Sequence, residues 1–251
     1  PQIFKQWFLL KKTKAKYTYK QIKPNFFEKN INKILNDKST IGFNVTIPYK
    51  EEIKKKLDSL DVHAKKIGAV NLVVKKNNKW VGKNTDWLGF KESIKHTKIS
   101  KKNKKAIILG YGGASKAIVY TLKKQGFKKI YIYNRTKNKI KHLAKDKIIS
   151  LIPITKVVKI ISLVDIIINT TPTDVLRPYS KKIKNTKNVW AFDVVYNPKE
   201  TSFLSHFNKN KRIYGISMLI HQAAPCYKEW FGKKINLNQK NIQLLERAIT
   251  K

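Results

Sequence analysis

Residues Gly110 to Ser115 read Gly-Tyr-Gly-Gly-Ala-Ser and stand between a fully apolar run, Ala106 to Leu109, and a helical run, Lys116 to Gln125. Glycines that follow a strand and open a helix suit the binding of a pyrophosphate. Gly110 permits the tight turn, Gly112 lets the backbone approach the anion, and the helix start at about Gly113 offers unpaired N–H donors. Ser115 takes the place of the usual third glycine or alanine and is small enough to keep the packing close. About 20 residues after such glycines, an NAD site carries an acid for the ribose 2′-hydroxyl. Here the sequence has Asn134-Arg135-Thr136. A cationic, hydroxyl-bearing turn suits a 2′-phosphate, so the expected cofactor is NADP. Arginine is rare in this lysine-rich chain, which sets Arg135 apart from Lys137 and Lys139. Two other polar residues stand where the backbone changes direction: Lys50 closes the strand-like run from Gly42 just after Pro48, and Asp86 follows a second such run after a glycine turn. Side chains at such points can face a cleft.

The elements that would position these residues follow from periodicity. Ile3 to Leu10 and a segment ending near Leu35 predict helices, with an extended, alternating stretch at Tyr17 to Ile22 and a turn at Pro24 between them. Ile41 to Ile47 predicts a strand, Glu51 to Leu60 a helix, and Val70 to Val74 with Trp80 to Val81 a hairpin about Asn77-Asn78. A helix over Trp87 to Lys95 leads to a charged break at 101–105. Apolar strands then recur at Ala106 to Leu109, Lys129 to Tyr133, Ile148 to Ile152, Asp165 to Asn169, Val189 to Val195 and Arg212 to Ile216, with helices between most of them. Met218 to Phe231 and Asn238 to Ile249 close the chain. Alternating helices and apolar strands describe an α/β protein with a doubly wound parallel sheet.

The chain has 251 residues, 41% of them hydrophobic, enough for a good core and better suited to two modest domains than to one. Its formal charge is +40, from 55 Lys and Arg against 15 Asp and Glu. That excess alone would suggest a polyanion partner. The lysines are dispersed, however, among many Ile, Asn, Tyr and Phe residues, all encoded by A/T-rich codons, so a solvated surface is the simpler reading and no specific nucleic acid is expected. The single cysteine, Cys226, excludes an intramolecular disulfide and a cysteine-cluster metal site, and its apolar neighbours make it a buried small hydrophobe. The five histidines lack metal-ligand spacing and no run is long enough for a membrane span. A metal is not expected, and a cytoplasmic monomer or homodimer is.

Seven ordered segments resemble the shikimate dehydrogenase family over nearly the whole chain. They are Asn44 to Lys50, Gly68 to Asn71, Asn84 to Asp86, Gly110 to Ser115, Asn134 to Thr136, Asp193 to Tyr196 and Gly215 to Gln222. The resemblance implies reversible, NADP-dependent reduction of 3-dehydroshikimate to shikimate in aromatic amino-acid biosynthesis. It also implies a substrate domain over 1–86, a Rossmann domain over 87–217, closing helices over 218–251 that pack back on the substrate domain, and an active-site cleft between the domains. Lys50 and Asp86 would form the catalytic pair. Thr46, Asn71, Tyr196 and Gln222 would bind substrate. Gly110, Gly112, Gly113, Ala114, Asn134, Arg135, Thr136, Lys139, Thr170 and Gly215 would hold the cofactor, with Tyr196 and Gly215 near the nicotinamide.

Three departures accompany the resemblance. Pro1 matches a proline that in the family follows a strand and a serine-x-serine segment, whose hydroxyls hold the substrate carboxylate. Asp174 stands where the turn Asn169-Thr-Thr-Pro-Thr should end in glycine. Lys139 replaces a frequent arginine, keeping charge but losing a planar face for adenine. A quinate or dual-specificity dehydrogenase, a polyanion-binding protein with the same fold, and an inactive paralogue are the rival readings. The joint presence of Lys50, Asp86 and Gln222 argues against the last.

Overall fold

In the computed structural model, which describes residues 1–97, 99 and 103–250, Asn77 and Asn78 both adopt left-handed backbone, with φ of 48° and 60°. Two consecutive positive φ values are what a two-residue hairpin turn requires. The turn joins β3 (Leu72–Lys76) to β4 (Lys79–Lys83), as the sequence predicts. Residues 101 and 102 of the expected charged break lie outside the described residues. The chain divides into two units, Pro1–Thr85 with Gln222–Lys251, and Asp86–His221.

The first unit holds a four-stranded sheet in the order β1-β3-β4-β2, where β1 is Gly42–Asn44 and β2 is Ser59–Leu60. β1 is shorter than the strand predicted over Ile41 to Ile47. Beyond Asn44, Val45 N–H still reaches Asn71 O (2.9 Å), but Tyr49 N–H turns back on Thr46 O (3.0 Å), and Pro48 has no N–H to extend a ladder. The helix predicted over Glu51 to Leu60 is also corrected: only Glu52–Lys56 coils, as a 3₁₀ turn. Asp58 causes the break. Its carboxylate accepts from Trp80 N–H (2.6 Å) and its own N–H reaches Trp80 O (3.0 Å), which draws Ser59 and Leu60 into the sheet parallel to β4. Asp61 then caps an unforeseen short helix, α3 (Val62–Ile67), by accepting from Ala64 N–H. Among the described residues no ladder forms over Tyr17 to Ile22. That segment is held by Tyr17 Oη donating to Asn44 Oδ1 (2.9 Å) and by Tyr49 Oη donating to Ile22 O (2.5 Å).

Two helices precede the sheet, α1 (Gln2–Leu10) and α2 (Phe27–Asn36). Phe27 and Ile31 of α2 pack with Val45, Tyr49, Ile53, Val70, Val73 and Trp80 into the unit's core. α8 (Gly215–Phe231) and α9 (Gln239–Thr250) close the chain, and α1 touches α9. Trp7, Phe8 and Phe4 of α1 meet Tyr227, Phe231 and Trp230 at ring separations of 5.2 to 5.9 Å.

The second unit opens with α4 (Asp86–Ser93) and carries a six-stranded, wholly parallel sheet. Its strands are β5 (Lys105–Leu109), β6 (Lys129–Tyr133), β7 (Ile149–Leu151), β8 (Ile166–Asn169), β9 (Trp190–Asp193) and β10 (Arg212–Tyr214), in the order β10-β9-β8-β5-β6-β7. Helices α5 (Gly113–Lys124), α6 (Ile154–Ile160) and α7 (Ser202–Ser205) lie between strands. Ile107, Ile108 and Leu109 are fully buried, as both faces of a doubly wound sheet demand. Strand order reverses between β5 and β8. Ligands of open α/β sheets bind at such a switch point, beyond the carboxyl ends of the strands.

Candidate functional site

The glycine turn lies at that switch point. Gly110 leaves β5 with φ 92°, a conformation L side chains rarely adopt, and a Cβ there would come within 2.8 Å of both Thr170 Oγ1 and Thr171 Cγ2. Gly112 is different: its backbone is extended, and the space its Cβ would fill is open. That space borders the first amides of α5, which have no intrahelical acceptors. A pyrophosphate can approach there, and Gly113 and Ala114 supply the amides.

Ser115 does more than keep the packing close. Thr170 Oγ1 donates to Leu109 O (2.7 Å), so the 2.6 Å contact between Ser115 and Thr170 is a bond donated by Ser115, which itself accepts from Gly112 N–H (3.2 Å). The chain of bonds runs Gly112, Ser115, Thr170, Leu109 and fixes the turn to the end of β8. Asn134 fixes it to β6. Its Oδ1 accepts from Tyr111 N–H (3.1 Å) and its Nδ2 donates to Thr136 O (2.9 Å). Arg135, Thr136 and Lys139 are exposed beyond it. The residues fit a dinucleotide with a 2′-phosphate: an open glycine, helix-terminal amides, and a cationic turn tied to the glycine turn through one asparagine.

Behind this cradle, Asn169 Nδ2 donates to Asp193 Oδ1 (3.1 Å) and Thr201 Oγ1 donates to Asp193 Oδ2 (2.7 Å). Burial raises the Asp193 pKa, against the hydrogen bonds of Thr201, Val195 N–H and Asn169. Gly215 follows β10, and a Cβ on it would lie 2.5 Å from Asp193 O, so only glycine permits this approach. Tyr196 is 40% exposed in the loop after β9. Asp86 is buried as the first residue of α4.

The first unit gathers the other expected residues. Val45 and Tyr49 are buried, Tyr49 stacking on Phe27 with ring centroids 4.4 Å apart, while Thr46 is exposed and Lys50 half-buried. Lys50 O accepts from Val70 N–H (2.7 Å), next to Asn71. Buried Asn71 accepts from Thr85 N–H through Oδ1 (2.7 Å) and donates through Nδ2 to Thr85 Oγ1 (2.9 Å) and to Gln222 Oε1 (3.0 Å). Cys226, buried as expected, has its sulfur 3.2 Å from Asn44 Nδ2 and 3.4 Å from Thr85 Oγ1. Asn71 and Gln222, 151 positions apart, thus share one polar cluster.

Comparison with known proteins decides the family. A model described as the shikimate dehydrogenase substrate binding domain matches residues 1–73, and one described as shikimate / quinate 5-dehydrogenase matches residues 92–196. The NADP(+) shikimate dehydrogenase of Caldicellulosiruptor saccharolyticus is 37% identical over 216 residues, covering 82% of this chain and 77% of the relative. The chain belongs to the shikimate dehydrogenase family. The corresponding enzyme of Caldanaerobacter subterraneus subsp. tengcongensis is 41% identical over 76% of this chain and 72% of its own. Among solved structures, the shikimate dehydrogenase of Aquifex aeolicus superposes with a TM-score of 0.85 at 32% identity, over 100% of this chain and 92% of that one. That of Thermus thermophilus, solved with NADP(H) and shikimate, gives a TM-score of 0.81 at 25% identity, over 98% and 93%.

Reading the sequence for family motifs missed what Thr85 and Asn44 do. Both lie inside family motifs, yet neither drew a role. The available signal is a threonine set between Asn84 and Asp86 just beyond the end of β4.

Proposed function

We propose that this chain catalyses the reversible NADP-dependent reduction of 3-dehydroshikimate to shikimate. The unit Pro1–Thr85 with Gln222–Lys251 binds substrate, and Asp86–His221 binds the cofactor. The observation that carries the reading is the cluster in which Asn71, Thr85 and Gln222 are hydrogen-bonded beside the backbone tie from Val70 to Lys50. Buried amides and hydroxyls of this kind suit a small polyol, whose hydroxyls each need a donor or acceptor when desolvated. Asn71, Gln222, Thr46 and Tyr196 orient the substrate. When bound, NADPH supplies a hydride to the carbonyl carbon. The oxygen then becomes an alkoxide and needs a proton at once; Lys50 and Asp86 serve that transfer as general acid-base groups. Absorbance assays of NADP reduction with shikimate and with quinate, each repeated with NAD, test the reading. Activity with quinate alone, or with NAD alone, would overturn it.

Arg135 sets cofactor choice in this reading. Arg135→Ala should weaken NADP binding by roughly 1.5 to 3 kcal/mol, the worth of a charge-assisted hydrogen bond, and leave NAD binding nearly unchanged. Titration of both cofactors decides it, since an equal loss for the two would make the turn merely structural.

The positive charge is a solvated surface in the same reading, and among the described residues no helix is long and apolar enough to cross a membrane. Binding to short DNA or RNA should be weak, indifferent to sequence and abolished by roughly 0.2 M salt, as counterion release requires. Sequence-selective retention at that salt would instead favour a polyanion partner.

A further inference from the structure

Asp174, at the position where the family resemblance leads one to expect glycine, is nearly buried with His206: their side chains are 7% and 11% exposed. One carboxylate oxygen, Oδ2, takes two bonds, from His206 Nε2 (2.8 Å) and from Ser202 Oγ (2.7 Å), while Oδ1 accepts from Leu176 N–H (3.0 Å). An ionised carboxylate only accepts, so His206 carries its proton on Nε2. Burial works to raise the Asp174 pKa, but the bonds from His206 and Ser202 outweigh it and hold the carboxyl below its ordinary range.

The loop that ends at Asp174 begins as the wall of the glycine turn. Thr170 and Thr171 are the side chains a Cβ on Gly110 would strike, and Thr170 is the hydroxyl that Ser115 holds. Between the two ends the loop is braced internally by Thr171 Oγ1, which lies 2.6 Å from both Asn169 Oδ1 and Thr173 O and can donate its one hydrogen to either. At the far end the neighbouring residues Thr201 and Ser202 hold two different carboxylates, Asp193 from β9 and Asp174 from the loop. A glycine at 174 would leave this end of the loop without a side-chain anchor.

We infer that Asp174, His206 and Ser202 are positioning residues for the cofactor, anchoring the far end of the loop whose near end walls the glycine turn. They hold the loop end through one another and through Leu176 N–H, and their effect passes through residues 170–173. The inference rests on the NADP reading above.

NADPH binding to the full chain, measured by its fluorescence, tests it alongside shikimate binding by calorimetry and amide hydrogen exchange over residues 170–176. Asp174→Ala and His206→Ala should raise the Kd for NADPH roughly tenfold, as small misplacements of a binding group do, and speed exchange in the loop, with shikimate binding unchanged. His206→Gln, which keeps an N–H donor near the place of Nε2, should restore most of the affinity. If wild type binds NADPH and the alanine variants bind it equally well, the inference fails while the cofactor reading stands. Equal loss of NADPH and shikimate binding would likewise overturn it, by showing a general structural role. A wild-type chain that binds no NADPH would overturn the cofactor reading itself.

Discussion

Lys50→Ala and Asp86→Ala are each expected to lower kcat for shikimate oxidation by roughly 10²- to 10⁴-fold, the usual share of general acid-base catalysis, with little change in NADPH affinity. Neither the backbone bond at Lys50 nor the packing of Phe90 in α4 uses the side chain that is removed. The tie from Val70 N–H to Lys50 uses the backbone carbonyl, which alanine keeps, and the neighbouring Tyr49 is anchored on Phe27. Asp86 opens α4, whose buried Phe90 packs in the second unit's core and is untouched by a change at the first residue. Asp86→Asn sharpens the test, because it preserves size and removes only the charge. Single-turnover and steady-state rates, measured with NADPH Kd, separate chemistry from binding. Wild-type turnover in the alanine variants would remove these residues from the mechanism.

Gly110→Ala is expected to damage both stability and cofactor binding. A non-glycine residue at φ 92° is strained, and its Cβ would stand 2.8 Å from two side-chain atoms of Thr170 and Thr171. Strain and overpacking together should destabilise the fold by roughly 2 to 5 kcal/mol. The threonines cannot turn away freely, since Thr170 Oγ1 is bonded to Leu109 O and Thr171 Oγ1 is held between Asn169 Oδ1 and Thr173 O. NADPH affinity should therefore fall by at least about tenfold as the turn shifts. Gly112→Ala provides the contrast. Its Cβ enters open space with ordinary backbone, so stability should hold while the pyrophosphate is excluded. Urea unfolding and NADPH titration of both variants check the pair of outcomes; a stable Gly110→Ala chain with intact binding would refute the argument.

The second unit was the more legible in sequence because its signals are local. Its central strands β5 and β8 carry the apolar runs Ala106 to Leu109 and Ile166 to Ile168, and its turn chemistry sits in adjacent residues such as Gly110 to Ser115 and Asn134 to Thr136. The first unit was harder because its decisive bonds are distant. Asp58 reads as one more charge in a helical stretch, and only its pairing with Trp80 turns the segment after it into a strand. Tyr17 reads as part of an extended, alternating stretch, and nothing in that pattern shows that its hydroxyl is spent on Asn44 or that its ring stacks on Phe4 at 4.4 Å. Side-chain bonds of this kind leave no periodic trace. The same holds for Asp174, a departure from the family pattern whose partners, Ser202 and His206, lie about 30 positions on.

The bonds from Gly112 to Leu109 through Ser115 and Thr170 also bear on how substitutions accumulate. In the glycine-loop pattern serine and alanine at position 115 count as equivalent small residues. Here they differ, because alanine would leave Gly112 N–H without its acceptor and Thr170 without its donor. A residue at 170 with no hydroxyl would in turn leave Ser115 with a hydrogen to place at a buried site. Neither position can drift alone without stranding a polar group, so the identity of each is conditional on the other. The two sites form one heritable character, written 55 residues apart in the chain.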